Sequence, residues 1–365
     1  MLKRKKIGVS VLGATGMVGQ RFLTLLENHP WFKVIDIAAS ENSKNKTYKE
    51  AVGNRWVLKE EQPKSIEKLI LRDVQNFKGI PKEVKIVFSD VDLSNKESTR
   101  HFELSYAKKG YAVISTSSAS RGKNKIPMII PEINHHHLKV IKHQQEYYNL
   151  PHNGFICVKP NCSIQSYMFV LDALTKKSYE LDKIQVCTLQ ALSGAGYKAI
   201  KNKSFQNNVI PYIKNEEIKT EEEPLKIFGE IKDKVIKNSE KMNISAFCNR
   251  VPVIDGHTAI VSISFKGKKP SIKRFKEILE SYSSLPQTLE LPTAPIKPIY
   301  IMEDIDRPQP KIDSITDKGM ALSVGRISKD KFFDIRFVGL SHNTLRGAAG
   351  GAILNAELLL KENYI

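Results

Sequence analysis

Residues 6–30 read KIGVSVLGATGMVGQRFLTLLENHP, and this stretch constrains the fold more than any other part of the chain. Its first apolar run is typical of a buried strand, and the apolar residues from Val18 to Leu26 recur at helical spacing. Gly13, Gly16 and Gly19 lie between the two, where the free amides of a helix N-terminus can bind a phosphate group. The sequence therefore predicts a strand–turn–helix unit that opens an α/β domain.

These glycines are spaced G-x-x-G-x-x-G rather than G-x-G-x-x-G, and a glycine pattern alone is weak evidence for a nucleotide site. A purely structural turn is the alternative. The position directly between a strand and a helix favours the dinucleotide interpretation.

Strands and helices alternate through the first half of the chain. Strands are predicted at residues 34–40, 84–89 and 112–115, with a helix at 94–109, which indicates a Rossmann-like, doubly wound parallel sheet. Beyond a predicted helix at 163–174, longer strands are expected at 184–191, 245–253, 258–265 and 320–327. Their partial alternation favours a mixed sheet in an α+β second domain.

We divide the chain into a dinucleotide-binding domain, residues 1–159 and 343–365, and a catalytic and dimerisation domain, residues 160–342. The charged segment 201–243 is predicted to be helical and either lid-like or dimer-facing. The last 25 residues are predicted to form an apolar helix that packs back onto the first domain.

Lys and Arg outnumber Asp and Glu by 57 to 39, but the lysines are spread among acids, which is typical of solvated faces. The densest basic run, KRKK at residues 3–6, is interpreted as an ordinary N-terminal flank. No window is apolar enough for a membrane helix and no signal peptide is recognisable, so a cytoplasmic location without membrane or nucleic-acid partners is expected.

Four cysteines, at positions 157, 162, 187 and 248, form no C-x-x-C pair, so neither a zinc site nor a disulfide framework is predicted. Three consecutive histidines begin at His135, but consecutive side chains point in different directions. We interpret them as surface residues and expect no metal.

Cys162 lies in the segment PNCSIQ, directly before a predicted helix start. It could be a core thiol, a metal ligand or a nucleophile, and without partners the core thiol is favoured. A helix N-terminus would lower the pKa of its thiol. Arg250 and His257, in NRVPVIDGH, provide a carboxylate clamp and a group that titrates near neutrality, which favours the nucleophile.

The loop after the second predicted strand bears on cofactor choice. Ser40, Ser43, Lys44 and Lys46 suit a 2′-phosphate and favour NADP, whereas Glu41 argues mildly for NAD. A solvated loop is the alternative.

Eight segments in order resemble aspartate-semialdehyde dehydrogenases of the archaeal and fungal branch: GATGMVGQRF, PNCSIQ, LQALSGAGY, EEEPLKI, NRVPVIDGHT, EDIDRPQP, GMALSVGRI and HNTLRGAAG. The resemblance spans nearly the whole chain. It implies a phosphorylating, NADP-dependent aldehyde dehydrogenase of the aspartate pathway to lysine, threonine, methionine and isoleucine, assembled as a homodimer or homotetramer.

The resemblance also implies roles for individual residues. Cys162 matches the nucleophile, His257 the acid/base and Gln190 the residue that orients the acyl group. Substrate contacts are implied for Arg250, Glu223, Lys226, Arg121 and Asn161. Cofactor contacts are implied for Gly13, Thr15, Gly16, Met17, Val18, Ser40, Ser43, Ser193, Gly194 and Asn343. Glu223 with Lys226 could instead be a solvated one-turn ion pair, and Arg121 a surface residue.

Two departures from the family pattern leave questions open. Asn42 stands where the family has an arginine, so use of NAD as well as NADP stays possible. Asp90 and Asp92 replace the family's S-A-L-P, and an acidic pair there is expected near the cofactor phosphates. Nothing in the sequence compensates for that charge.

Two alternatives remain at this point. A malonyl-CoA or related acyl-CoA reductase of the same branch would share most of the motifs, but Asn161 with Glu223, Lys226 and Arg250 favours the semialdehyde enzyme. A non-catalytic dinucleotide-binding regulator is opposed by the intact set of Cys162 and its partners.

Overall fold

A parallel six-stranded sheet, in the order β3-β2-β1-β4-β5-β6, forms the first half of this computed structural model, which describes residues 5–365. Residues 3 and 4 of the basic run lie outside the described residues. The strands are β1 (Ile7–Leu12), β2 (Phe32–Ala39), β3 (Arg72–Asp73), β4 (Val84–Ser89), β5 (Ala112–Ser115) and β6 (Phe155–Val158). The helices are α1 (Met17–Leu26), α2 (Tyr48–Val52), α3 (Lys96–Ala107), α4 (Pro131–Asn134) and α5 (Ile141–Tyr148).

The sheet is buried on both faces, which explains its nearly continuous apolar strands. On β4, Val87 packs in one core with α3, whereas its neighbours Ile86 and Phe88 pack in a second core with α1 and the C-terminal helix. Helices therefore cover both faces, and the prediction of a doubly wound parallel sheet is confirmed.

The second half contains a mixed six-stranded sheet in the order β10-β7-β11-β14-β13-β12. Its strands are β7 (Glu180–Gln190), β10 (Asn243–Arg250), β11 (His257–Lys266), β12 (Ile299–Ile301), β13 (Leu322–Lys329) and β14 (Ile335–Ser341), and β8 (Glu230–Lys232) pairs with β9 (Val235–Lys237) in a separate hairpin. The helices are α6 (Met168–Thr175), α7 (Tyr197–Lys201), α8 (Glu216–Ile227), α9 (Ile272–Glu280), α10 (Leu285–Thr288), α11 (Pro310–Asp313), α12 (Thr316–Gly319) and α13 (Gly350–Lys361). The prediction of a mixed second sheet is confirmed.

One face of this sheet remains open and partly apolar. Phe247 on β10 is paired in register with Cys187 on β7, and Cys187 with Ile260 on β11. Ile260 is in turn opposite Val338 on β14. Phe247 is 60% exposed and Ile260 45% exposed, so an apolar row crosses four strands without a cover from residues 5–365.

Several elements differ from the sequence-based expectation. Strands β3, β6, β12 and β14 were not predicted, because three of them are four residues or shorter and β14 alternates weakly. The strand expected at 245–253 ends at Arg250, since Pro252 has no N–H for the ladder. Segment 201–243 is helical only in part, because it contains the β8–β9 hairpin as well as α8.

The C-terminal region begins with a π-helical turn, Leu345–Ala349, before α13. Helix α13 contacts α1 and β5. Its Glu357 accepts from His29 Nε2 at 2.7 Å, which ties the end of the chain to the first sheet.

Candidate active site

A cleft of ≈ 230 Å³ opens where the carboxyl ends of β1, β4 and β5 meet loops that follow β6, β7 and β14. This edge of a doubly wound sheet is where ligands ordinarily bind. The lining residues are Val18, Asp90, Asp92, Thr116, Ser117, Ser118, Arg121, Asn161, Cys162, Ser193, Gly194, Glu216, Lys219, Asn343, Thr344, Gly347 and Ala348.

Cys162 is half-buried in this cleft, at the start of a 3-10 turn, Ser163–Ser166. The turn is held by Asn161, whose Oδ1 accepts from the Ser163 N–H at 2.8 Å and from the Ser163 hydroxyl at 3.0 Å. On the other side, a Cβ at Gly347 would lie 2.6 Å from the Cys162 Cβ. The nucleophile candidate is thus confined between Asn161 and a glycine of the π-helical turn.

The pKa of the Cys162 thiol is raised, contrary to the expectation from a helix N-terminus. Burial is the main cause, and the Glu216 carboxylate adds to it, while the cations of Lys159, Arg121 and Arg250 act in the opposite direction. The predicted helix is broken at Tyr167, so only a four-residue 3-10 turn follows Cys162. Such a turn has little dipole to stabilise a thiolate.

His257 and Arg250 lie beneath the short helix Leu192–Ala195, outside the cleft wall. His257 Nδ1 accepts from the Ala191 N–H at 3.0 Å, so the neutral ring carries its proton on Nε2. Burial, and then the nearby Arg250 cation, lowers the pKa of His257 to about 3. Its Nε2 has no hydrogen-bond partner within residues 5–365.

Gly194 separates these two side chains from the cleft. A Cβ there would lie 3.0 Å from His257 Nε2 and 3.1 Å from Arg250 Nη1. Arg250 Nη1 itself donates to the Ala191 carbonyl at 2.6 Å. The sequence predicted that His257 and Arg250 line the site, whereas in the structure Gly194 lies between them and the cleft.

Glu216 and Lys219 line the cleft but were missed by sequence reasoning. Glu216 Oε2 accepts from Asn161 Nδ2 at 2.8 Å and from Gln190 Nε2 at 3.2 Å, while Oε1 accepts from Lys219 Nζ at 2.6 Å. Burial alone would raise the pKa of Glu216, but Lys219 and the two amides outweigh it and the pKa is lowered. An ionised carboxylate therefore links Asn161 and Gln190.

A signal for this pair was present in the sequence. Glu216 and Lys219 have the same E-x-x-K spacing as Glu223 and Lys226, which follow seven residues later. On α8 only the first pair reaches the cleft, because α8 passes into the protein toward its C-terminus.

Glu223 and Lys226 do not form the one-turn ion pair considered as the alternative. Glu223 Oε2 accepts from the Asn161 N–H at 2.6 Å, and its Oε1 accepts from Arg121 Nη1 at 3.1 Å. Lys226 Nζ donates to three backbone carbonyls and is 4% exposed. The expectation that Lys226 contacts phosphate is therefore corrected, because its ammonium lies outside the cleft and all three of its donors are used. Arg121, by contrast, lines the cleft.

The glycine turn fits a dinucleotide. Gly13 has φ +78°, and a Cβ there would lie 2.5 Å from the Asp90 carbonyl oxygen. Gly16 begins the ten-residue helix α1 without any side-chain cap, which leaves amides of the first turn available to phosphate. Val18 on that turn lines the cleft.

Five of the other expected cofactor residues, those outside the glycine turn, divide into two groups. Ser193, Gly194 and Asn343 line the cleft, and Asn343 Nδ2 donates to the Ser193 hydroxyl at 2.7 Å. Ser40 is exposed and Ser43 is buried beyond the end of β2, away from the cleft wall. In that loop Lys44 Nζ pairs with Glu41 at 2.7 Å, which offsets the acid that argued for NAD.

Asp90 and Asp92 lie on the cleft wall, and the structure supplies the partners that the sequence did not reveal. Asp90 Oδ1 accepts from the Thr116 hydroxyl at 2.6 Å, and Asp92 Oδ1 accepts from the Ser117 hydroxyl at 2.7 Å. Burial raises the pKa of Asp90 to about 6. The acidic pair thus fastens β4 to the loop that leads to Arg121.

Two other findings concern the described part of the chain, residues 5–365. No group of three or more His, Cys, Asp or Glu side chains there is arranged to hold a metal ion. No helix within the same range is long and apolar enough to cross a membrane.

Together these features define a two-domain oxidoreductase with a dinucleotide turn facing a half-buried cysteine. Family models described as "Semialdehyde dehydrogenase, NAD binding domain" and "Semialdehyde dehydrogenase, dimerisation domain" match residues 8–141 and 171–346. The chain belongs to the aspartate-semialdehyde dehydrogenase family.

Individual relatives support that membership. The aspartate-semialdehyde dehydrogenase of Archaeoglobus fulgidus is 41% identical over 99% of this chain and 100% of its own. That of Schizosaccharomyces pombe is 39% identical over 99% of both chains. A crystal structure of the Candida albicans aspartate-semialdehyde dehydrogenase with NADP matches with a TM-score of 0.87 at 35% identity, covering 99% of this chain and 100% of that one. The predicted family and its archaeal and fungal branch are confirmed.

Proposed function

We propose that this protein reduces 4-aspartyl phosphate to aspartate 4-semialdehyde and inorganic phosphate through a thioester on Cys162, in the aspartate pathway to lysine, threonine, methionine and isoleucine. The observation that carries the proposal is the position of Cys162. It faces a cleft with a dinucleotide turn on one wall and the cations of Arg121 and Lys219 on another. A thiol between a hydride carrier and an anion-binding surface suits reductive dephosphorylation.

The first chemical step forms the thioester. The Cys162 thiolate attacks the acyl carbon of aspartyl phosphate, a C–S bond forms, and the C–O bond to phosphate breaks. Arg121 and Lys219 stabilise the departing phosphate because both are cations on the cleft wall. The pKa of Cys162 is raised in the free protein, and the nearby cations of Lys159, Arg121 and Arg250 are the groups that favour its thiolate.

The second step reduces that thioester. A nicotinamide cofactor bound at the glycine turn supplies a hydride to the acyl carbon. His257 Nε2, which carries the proton of the neutral ring, donates a hydrogen bond to the resulting oxyanion and stabilises it. The oxyanion then collapses as the C–S bond breaks, which releases the aldehyde and the Cys162 thiolate.

His257 must reach the cleft for this step, and Gly194 now covers it. We infer that the helix Leu192–Ala195 shifts when ligands bind. The same shift exposes Arg250 for the substrate carboxylate, and Gln190 then orients the acyl group beside Cys162.

For recognition of the substrate amino group, the geometry favours Glu216 over Glu223. Glu216 lines the cleft, whereas both carboxylate oxygens of Glu223 are already engaged by Asn161 and Arg121. Asn161 contributes by positioning Cys162, because its side chain is bonded to Ser163 and Glu216. Its Nδ2 and Oδ1 are therefore committed, and the Cys162 N–H is the better candidate for the oxyanion.

We propose NADP(H) as the cofactor, with NAD(H) as a possible second one. The Candida albicans relative was solved with NADP, and the loop after β2 offers the exposed Ser40 and the cation of Lys46 for a 2′-phosphate, with Ser43 buried in the same loop. Because Lys44 is paired with Glu41, the preference for NADP over NAD depends on the charge of Lys46 rather than on both lysines of the loop.

A homodimer is proposed through the open face of the second sheet. The apolar row of Phe247, Cys187, Ile260 and Val338 lies within the region matched by the dimerisation-domain model. Exposed apolar sheet faces of this kind ordinarily mark an interface. A homotetramer would be a pair of such dimers, and light scattering that finds only monomer would contradict both. The cytoplasmic location and the domain bounds at residues 159/160 and 342/343 stay predictions.

The function is tested by an activity panel with the purified protein. Aspartate 4-semialdehyde is offered with NADP⁺ or NAD⁺, and with phosphate or CoA as acyl acceptor. We expect sustained turnover, beyond one reduced cofactor per site, only with phosphate and faster with NADP⁺, and we expect Cys162→Ala to abolish the formation of reduced cofactor. Turnover of malonyl-CoA without phosphate would support the acyl-CoA reductase, and no turnover under any condition would support the regulator.

A further inference from the structure

We propose that Lys226 is a positioning residue that sets the phosphate site by fastening the loop that carries Arg121. This inference rests on the proposed function, in which Arg121 binds phosphate. We name residues 121–126 the Arg121 loop.

Lys226 is committed to the backbone of this loop. Its Nζ donates to the carbonyl oxygens of Arg121 at 2.6 Å, Lys123 at 2.7 Å and Ile126 at 2.9 Å. The three N–H donors of the Lys226 ammonium thus have three carbonyl acceptors, so no donor lacks a partner although the group is almost fully buried. Burial lowers the pKa of Lys226 to about 7, and no carboxylate is bonded to it within residues 5–365. A buried cation that donates only to backbone carbonyls stabilises the conformation of that backbone.

The Arg121 loop is also supported from the first half of the chain, where the Lys123 N–H donates to the Ser120 carbonyl at 3.1 Å and Arg121 Nη2 donates to the Thr116 carbonyl at 2.7 Å. Gly122, Lys123 and Asn124 are nevertheless exposed, so their side chains and backbone pack against little of the protein. One further bond comes from the second half, where the Ile236 N–H donates to the Asn124 carbonyl at 2.9 Å. The loop lies in the region matched by the NAD-binding model, and Lys226 and Ile236 connect it to the region matched by the dimerisation-domain model.

The same helix also holds the nucleophile. Glu223, one turn before Lys226 on α8, accepts from the Asn161 N–H and from Arg121 Nη1. Because α8 is bonded both to the residue before Cys162 and to the Arg121 loop, it fixes the distance between the thiol and the phosphate-binding cation. Loss of Lys226 should free the loop while the anchor of Cys162 stays in place.

This separation gives a specific kinetic expectation. Without phosphate, aspartate 4-semialdehyde and NADP⁺ should give a burst of one reduced cofactor per site as the thioester forms. The thioester is then released by phosphate. Lys226→Met should raise the KM for phosphate on the order of tenfold, since a small displacement of a binding group is costly, and should leave the burst rate and amplitude unchanged.

Lys123→Met is the matched control. It removes the same charge, here from the loop that Lys226 binds, but the Lys123 side chain is exposed and only its carbonyl accepts from Lys226. We expect the KM of Lys123→Met for phosphate to equal that of the wild-type protein. If Lys226→Met does not fold, Lys226→Arg gives the same comparison, because a guanidinium cannot place three donors where the ammonium does.

The outcomes separate this inference from the proposed function. A wild-type protein without phosphate-dependent turnover would overturn the proposed function itself. Wild-type turnover together with an unchanged phosphate KM in Lys226→Met would overturn only the role of Lys226. A burst rate that falls as much as the KM for phosphate rises, in a folded Lys226 variant, would also overturn it. Lys226 would then act on the nucleophile as well.

Discussion

The two walls of the cleft are built by different means. The nucleotide wall is local in sequence, because Gly13, Gly16 and Val18 lie within six residues of one another. The α8 wall depends on contacts between residues far apart in sequence, such as Glu216 with Asn161 and Lys226 with Arg121. The first wall can be inferred from a motif, whereas the second exists only once the chain has folded.

The largest effect is expected at the point where the two walls meet Cys162. Gly347→Ala would place a Cβ 2.6 Å from the Cys162 Cβ, so the nucleophile must shift. We expect kcat to fall by roughly 100-fold, because such a displacement misaligns the attacking sulfur. Steady-state kinetics measure it, and Gly122→Ala, where a Cβ meets nothing within 4 Å, should match wild type.

A substitution on the nucleotide wall should affect the cofactor alone. Gly13→Ala combines a positive φ with a Cβ 2.5 Å from the Asp90 carbonyl oxygen. We expect the Kd for NADPH, measured by fluorescence titration, to rise about tenfold because the turn must open. Gly267→Ala has a similar φ of +72° but open space around it, so its Kd should not change. An unchanged Kd in Gly13→Ala would show that the turn does not hold cofactor.

A substitution on the α8 wall should give the opposite pattern. Glu216→Gln removes the charge that holds Asn161, Gln190 and Lys219, and the KM for aspartate 4-semialdehyde should rise about tenfold. The Kd for NADPH should stay at the wild-type value. Glu222→Gln, an exposed change on the same helix, is the control. A change in both constants would mean that the walls are not independent.

The smallest effect is on the titration of Cys162. Since burial and Glu216 raise its pKa, iodoacetamide should label Cys162 with a midpoint above that of a free cysteine peptide. Glu216→Gln should move the midpoint downward, because the carboxylate then no longer opposes the thiolate. Labelling is followed by mass spectrometry of the Cys162 peptide, and a wild-type midpoint below the free peptide would contradict this electrostatic account.

The sequence predicted four of the six strands of the parallel sheet, because β1, β2, β4 and β5 are apolar runs that neighbouring residues specify, whereas β3 and β6 are too short to give such a pattern. It predicted a low pKa for Cys162 wrongly, since the break at Tyr167 and the burial of the thiol arise from packing. It also selected the second of two E-x-x-K pairs, because spacing alone does not say which turn of α8 faces the cleft. The partners of Asp90 and Asp92 were hidden for the same reason: Thr116 and Ser117 are about 25 residues away.

The central claim is that Cys162 carries the acyl group, and trapping tests it directly. The protein is incubated with aspartate 4-semialdehyde and NADP⁺ without phosphate, quenched and digested for mass spectrometry. We predict one reduced cofactor per site and one aspartyl group on the peptide that contains Cys162, released when phosphate is added. Reduced cofactor without an adduct, or an adduct on Cys157, Cys187 or Cys248 instead, would contradict the account.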